Sequence, residues 1–493
     1  LQSTVFKTAA FDRSAISPIR LQYFRNASAN IVSFFISTNL FLYNFKYFFK
    51  SYLSISLSYF YTILFILYLC HNLSNMKKIV IIGTVWPEPN STAAGHRMMQ
   101  LIAVFKKLEY QIIFSSIAAP SEYSFNLENY GIKTVAIQIN NASFNEFIKT
   151  QNPTIVLFDR FITEEQFGWR VAENCPYALR IIDSEDLHFL REARYQCFKQ
   201  KINCENKHLQ NEIAKREIAS IYRCDLTLII SKYEYDLLVN SFNIPSEIIH
   251  YIPMMYNVLK ETILEDYPKF KERNHFFSIG NFHHKPNWET VLQLKNNIWP
   301  KIKKQLPQTE LHIYGAYMPE KAKQLHNEKE GFIIKGRVEN SNEIFKKYKV
   351  LLAPIPFGAG IKGKLLESML YGTPNVTSTI GAEAMQNNKD WNGFIEDNPS
   401  DFATKAVELY SNESIWKQSQ LYGVSIINDC FNKNNFEYEL IEKLQNLLSN
   451  IENHRSKNFM GQILNYHSLR STMYMSKWIE EKNSNKEIPN SNS

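Results

Sequence analysis

The chain has 493 residues, 45% hydrophobic and 21% charged, which is too long for one hydrophobic core and too apolar for a disordered protein. Its formal charge is +7, but residues 1–75 hold six Lys/Arg against Asp12 alone, leaving a near-neutral body that argues against nucleic acid as a partner. The six cysteines (Cys70, Cys175, Cys197, Cys204, Cys224, Cys430) form no CxxC pair and have no histidine-rich cluster beside them, so reduced thiols and a cytoplasmic setting are expected.

Residues 1–75 stand apart. No Met precedes Met76, which opens MKKIVIIG, a sequence typical of a first buried strand. The preferred reading is that 1–75 is translated upstream sequence and that the working protein starts at Met76. The alternative is a membrane anchor, because residues 51–70 are 20 uncharged, mostly apolar residues flanked by Lys46 and Lys50.

From Met76 onward, short apolar runs alternate with helical stretches. Runs at 78–83, 110–115, 133–138, 154–159, 179–183 and 226–231 are apolar throughout rather than alternating, the pattern of parallel strands covered on both faces. Helical segments such as 96–108 and 208–222 lie between them. A first α/β domain is expected over 76–265, with the charged stretch 264–274 as linker. The alternation then restarts with strands at 276–280, 310–315, 332–336, 350–355 and 375–378, and helices at 287–305, 340–347 and 362–371, giving a second domain over 266–430. The expected fold class is therefore α/β, two Rossmann-like doubly wound domains facing a central cleft, where the carboxyl ends of the strands receive ligands. Residues 431–482 read as C-terminal helices packing back on the first domain, and 483–493 as a polar tail.

The most informative segment is PFGAGIKGKLLESMLYGTP (356–374), a strand running into a glycine loop that opens a helix. Gly358 and Gly360 let the backbone approach a ligand, and a helix start favours an anion. Lys362 and Lys364 add positive charge, and Glu367 lies one turn beyond Lys364, where its carboxylate can accept hydrogen bonds from a ribose diol. The same letters match a dinucleotide fingerprint, with Glu383 as its ribose acid. They also match a P-loop, except that Leu365 replaces the required Ser/Thr.

Residues 276–385 resemble the nucleotide-sugar-binding domain of family-4 (group 1) retaining glycosyltransferases, which have the GT-B fold. SIGNFHHKPNWETV (278–291), the glycine segment and GAEAM (381–385) carry the resemblance. It extends upstream to EIASIYRCDLTLIISKYEYDLL (217–238), IIDSEDLHFLREAR (181–194) and WPEPNSTAAGHR (86–97). The resemblance implies transfer of a sugar from a nucleoside diphosphate sugar, UDP-linked, to a hydroxyl acceptor with retention and without a metal or further cofactor. His188 and Glu367 are implied as catalytic. Lys285, Gly358, Gly360, Ile361, Lys362, Lys364 and Glu367 would bind the donor, with Gly95, Asp159 and Asp183 at the acceptor or cleft side. The chain departs from the family at Ala359, where the first glutamate of E-x7-E is expected, and at Asn281, where an arginine is expected; it resembles a Gly-Ala-Gly-x-Lys subgroup. Glycan or lipid-linked acceptors, and peripheral association with the inner membrane face, fit relatives that build polysaccharides. Competing readings are a nucleotide-sugar-binding protein without catalysis, an epimerase of the same fold and, third, an NAD-dependent dehydrogenase. His283-His284 is not expected to bind a metal, because adjacent residues rarely share an ion.

Overall fold

A computed structural model describes residues 77–484; both readings of residues 1–75 concern sequence outside this range. The apolar runs form two parallel sheets. The first has seven strands: β1 (Lys78–Gly83), β2 (Gln111–Ser116), β3 (Lys133–Ala136), β4 (Ile155–Asp159), β5 (Leu179–Asp183), β6 (Leu226–Ile229) and β7 (Ile249–Tyr251), in spatial order 3-2-1-4-5-6-7. The second has six: β8 (Asn274–Ile279), β9 (Leu311–Tyr314), β10 (Phe332–Gly336), β11 (Tyr348–Ala353), β12 (Asn375–Thr377) and β13 (Gly393–Ile395), ordered 10-9-8-11-12-13. In both sheets the order reverses beside the first strand, opening a crevice at the carboxyl edge.

Burial explains why these runs became strands. Ile79 to Ile82 are completely buried, so side chains on both faces of β1 contribute, each worth about 1.5–3 kcal/mol when removed from water. One face packs on Leu101, Ile102 and Phe105 of α1 (Ala93–Lys107), whose N-terminus is capped by the Thr92 hydroxyl accepting the Gly95 N–H at 2.9 Å. The helices that matter to the cleft are α2 (Arg160–Asn174), α3 (His188–Gln200), α4 (Asn206–Leu209), α5 (Glu212–Arg223) and α6 (Lys232–Phe242) in the first half of the chain. In the second half they are α7 (Lys285–Gln293) and α8 (Gly363–Leu370).

The helix expected over 208–222 is broken in two, because Asn211 caps α5 through its side chain, accepting the Ala214 N–H at 3.0 Å. The charged stretch 264–274 is no free linker. Tyr267 donates its hydroxyl hydrogen to the Leu370 carbonyl at 2.9 Å, and the fully buried Arg273 donates to Phe345 O at 3.0 Å and Thr373 Oγ1 at 2.7 Å.

After α9 (Glu413–Cys430) the chain returns to the first domain. Tyr256 and residues 431–433 exchange backbone hydrogen bonds, and α10 (Lys433–Ser449) buries Leu440, Leu444 and Leu447 in the core around β1. The long helix α11 (Phe459–Ser484) lies along α5 and α2. Among the described residues no helix is long and apolar enough to cross a membrane.

Candidate active site in the interdomain cleft

A cavity of about 680 Å³ lies between the two sheets' carboxyl edges, lined from both domains. On the second domain, β11 leads through the glycine loop into α8. Gly360 has φ +64°, and a Cβ there would lie 2.8 Å from the Asp186 Cβ, so only glycine lets the loop meet the first domain this closely. Gly358 and Ile361 line the same wall.

Lys364 and Glu367 lie one turn apart on α8 and both face the cavity. The Lys364 ammonium donates to Asn287 Oδ1 at 2.7 Å, and Asn287 donates to the Asn281 carbonyl at 2.7 Å. An added Cβ at Gly280 would lie 2.7 Å from Lys364 Nζ, so this glycine opens the space that the lysine fills at the end of β8. Lys364 thus brings a cation beside Asn281. Burial lowers the Lys364 pKa to about 8. Burial raises that of Glu367 to about 7, against the opposing pull of Lys364 and a hydrogen bond with Ser341.

The other two lysines differ. Lys362 is buried, its ammonium donating to the Gly360 carbonyl at 2.8 Å, and burial lowers its pKa to about 8. It therefore braces the loop from within. Lys285 is exposed at the first position of α7, with Nζ 4.1 Å from the centre of the Tyr195 ring. Glu383, the ribose acid of a dinucleotide reading, instead receives a bidentate bond from Arg194 at 2.7 and 2.8 Å.

On the first domain His188 opens α3 and lines the cavity. Its Nδ1 is 3.2 Å from the Asp186 carbonyl and 3.6 Å from a Glu217 carboxylate oxygen, and its ring meets Phe161 edge-on at 5.3 Å. These contacts hold the imidazole at the cleft wall. Burial opposes ionisation of Asp186, but the hydrogen-bonded Arg191 guanidinium and His188 hold its pKa at about 2.

A second cavity of about 330 Å³ shares Arg160, Glu185, Asn281 and His284 with the first. Trp86, Phe114, Met98 and Tyr317 give it an apolar wall, and Gly95 and Asp159 line it. An added Cβ at Gly95 would come within 2.5 Å of the Glu88 backbone, so this glycine lets the 86–95 loop fold over α1. Asp159 accepts the Thr84 N–H at 2.9 Å and pairs with Arg160 at 3.1 Å; its other carboxylate oxygen is buried without a hydrogen-bond partner.

Asp183 requires correction. It sits beside Asp159 in register but is fully buried and lines neither cavity. Its carboxylate is held by Arg97, 2.8 Å from Nη2 and 2.9 Å from Nε, while Arg97 Nη1 donates to the Ile252 carbonyl. Asp183 is thus half of a buried ion pair joining α1 to β5.

Sequence reasoning missed Glu185, which lines both cavities with a left-handed backbone (φ +61°) and one buried, unpartnered carboxylate oxygen; burial and Asp183 push its pKa well up. It also missed Arg191, Ser341 and Arg337, the last stacked 3.9 Å from the centre of the Tyr123 ring. A non-glycine residue in αL is a signal that no sequence pattern displays.

Residues 273–412 match the family described as glycosyl transferases group 1. No curated protein matches the chain. Solved structures with the same fold include sucrose-phosphate synthase from Thermosynechococcus elongatus, with TM-score 0.56 and 14% identity over 76% of this chain and 99% of that one. The pneumococcal O-GlcNAc transferase GtfA, in complex with UDP and GlcNAc, gives TM-score 0.57 and 12% identity over 76% and 99%. Anabaena Alr3699/HepE with UDP-glucose gives 0.55 and 13% over 75% and 100%. The chain thus has the GT-B fold, and its residues 273–412 are similar to the group 1 glycosyl transferases.

Proposed function

We propose that this protein transfers a sugar from a nucleoside diphosphate sugar, UDP-linked, to a hydroxyl acceptor with retention and without a catalytic metal. The observation that carries the reading is the cavity in which Lys364 and Glu367 on α8 face His188 of the other domain. Lys364 and the start of α8 receive the diphosphate, and Glu367 accepts from the ribose hydroxyls. Lys285 and Arg337 supply further positive charge at the rim.

As the anomeric carbon–oxygen bond breaks, electrons pass to the diphosphate, whose charge these cations stabilise. His188, beside Asp186 and Glu217, steadies the electron-poor carbon. The acceptor hydroxyl enters from the second cavity past Asp159 and Glu185, forms the new bond on the face the diphosphate leaves, and gives its proton to the departing phosphate oxygen. Two structures on this fold, HepE with UDP-glucose and GtfA with UDP and GlcNAc, support a uridine nucleotide. A glycan or lipid-linked acceptor fits this chemistry. α11 carries exposed Phe459, Tyr474, Met475 and Trp478, where peripheral contact with a membrane is proposed.

Turnover tests the reading. Full-length protein incubated with UDP-glucose or UDP-GlcNAc should release UDP. His188→Ala should slow release by about 10²–10³-fold with UDP affinity nearly unchanged. No release from any UDP- or GDP-sugar, with UDP bound normally, would mean a binding protein without catalysis.

A further inference from the structure

Away from the cleft, two thiols and an imidazole converge where α3 hands over to α4. Cys197 is buried on the last turn of α3, Cys204 is exposed in the connecting loop, and His208 is half-buried on α4. One potential ligand atom from each lies within 4.8 Å of the other two, close enough for a single ion to reach all three. None of the three lines either cavity, and the proposed transfer uses none of them.

We propose that Cys197, Cys204 and His208 bind a zinc ion that ties the end of α3 to α4. Two thiolates and an imidazole form a soft-to-borderline donor set suited to zinc, with a tetrahedral fourth position left to water on the exposed Cys204 side. Among the described residues this is the one such group of histidine, cysteine and acidic side chains. On binding, both thiols give up their protons to solvent and zinc takes their place, so two protons leave for each ion bound.

His208 Nδ1 accepts the Glu205 N–H at 2.9 Å in the metal-free arrangement. Coordination through either ring nitrogen requires that exposed capping bond to yield, a small loss beside a zinc–imidazole bond.

The position of the tie gives it a consequence. The same stretch of α3 presents Arg194 to the Gly358 carbonyl at 2.8 Å, and Tyr195 and Phe198 to the Phe357 ring, both at 5.1 Å between centroids. A cross-link at Cys197 steadies the helix end that touches the glycine loop. Such an ion is structural and separate from the proposed metal-independent chemistry.

The test uses untagged full-length protein, purified reduced, equilibrated with zinc chloride, dialysed against metal-free buffer and analysed by elemental mass spectrometry. About one zinc per chain is expected. Cys204→Ser and His208→Ala should each weaken zinc binding at least about tenfold, whereas Cys430→Ser, which alters a cysteine of the second domain's core, should leave it unchanged. Cobalt substitution should give a thiolate-to-metal charge-transfer band that weakens in Cys204→Ser; circular dichroism checks that this exposed-site variant is folded. No stoichiometric zinc in the wild type, or zinc retained by the Cys204→Ser/His208→Ala double variant, overturns the site. So does a Cys197–Cys204 disulfide that persists through reducing purification.

Discussion

Glu367 and Lys364 share one pocket and oppose each other's titration. Under the proposed function the ribose hydroxyls are met by the carboxylate and the diphosphate by the ammonium. Burial raises Glu367 to about 7, so acidification through that value protonates it and removes the acceptor. Burial lowers Lys364 to about 8, so a rise in pH through that value removes the positive charge. UDP affinity is therefore expected to peak between these two values and fall on either side. Calorimetry across the range checks this: Glu367→Gln should flatten the acid limb and Lys364→Met the alkaline limb. An affinity that moves in one direction throughout would contradict these roles. The pair was legible in the sequence because both residues belong to one helix and their spacing fixes their relation. Asp183 was not, because its partner Arg97 lies 86 positions away, and a carboxylate at a strand end carries no sign of whether the chain or a ligand will meet it.

At the scale of elements, the Arg97–Asp183 pair joins α1 to the centre of the first sheet in full burial. Removing one partner strands the other charge. Asp183→Ala should cost about 3–5 kcal/mol in denaturant unfolding, with the folded variant binding UDP within about twofold of wild type. Unchanged stability with lost UDP affinity would return Asp183 to the binding site. The long buried strands were readable because each apolar run spans both faces of a sheet. β7 and β13 escaped notice because each is a three-residue edge strand, too short to show a period. The charged 264–274 stretch misled because Arg273 satisfies its guanidinium with carbonyls and a hydroxyl of the second domain, partners that composition does not reveal.

Across the whole molecule, several contacts from the first domain meet the glycine loop of the second. Arg194 of α3 reaches the Gly358 carbonyl and Glu383, and the buried Glu234 of α6 accepts N–H groups from Gly360 at 2.6 Å and Leu187 at 3.3 Å. Burial raises the Glu234 pKa to about 8, which suits a carboxyl group enclosed between the domains. The glycine loop is thus gripped by the domain that carries His188, and under the proposed function this contact helps keep water from the reacting carbon. The two-domain plan could be read from the repeated strand–helix alternation; this grip could not, since it joins residues more than a hundred positions apart.

Under the proposed function the cleft holds a nucleoside diphosphate on α8. Full-length protein should be titrated calorimetrically with UDP, GDP and NAD, beside Glu367→Ala. Saturable UDP or GDP binding, weakened about 10–100-fold by loss of the carboxylate's hydrogen bonds, with no response to NAD, is the predicted result. Well-folded protein that binds neither nucleoside diphosphate, or binds it equally well without Glu367, would contradict it.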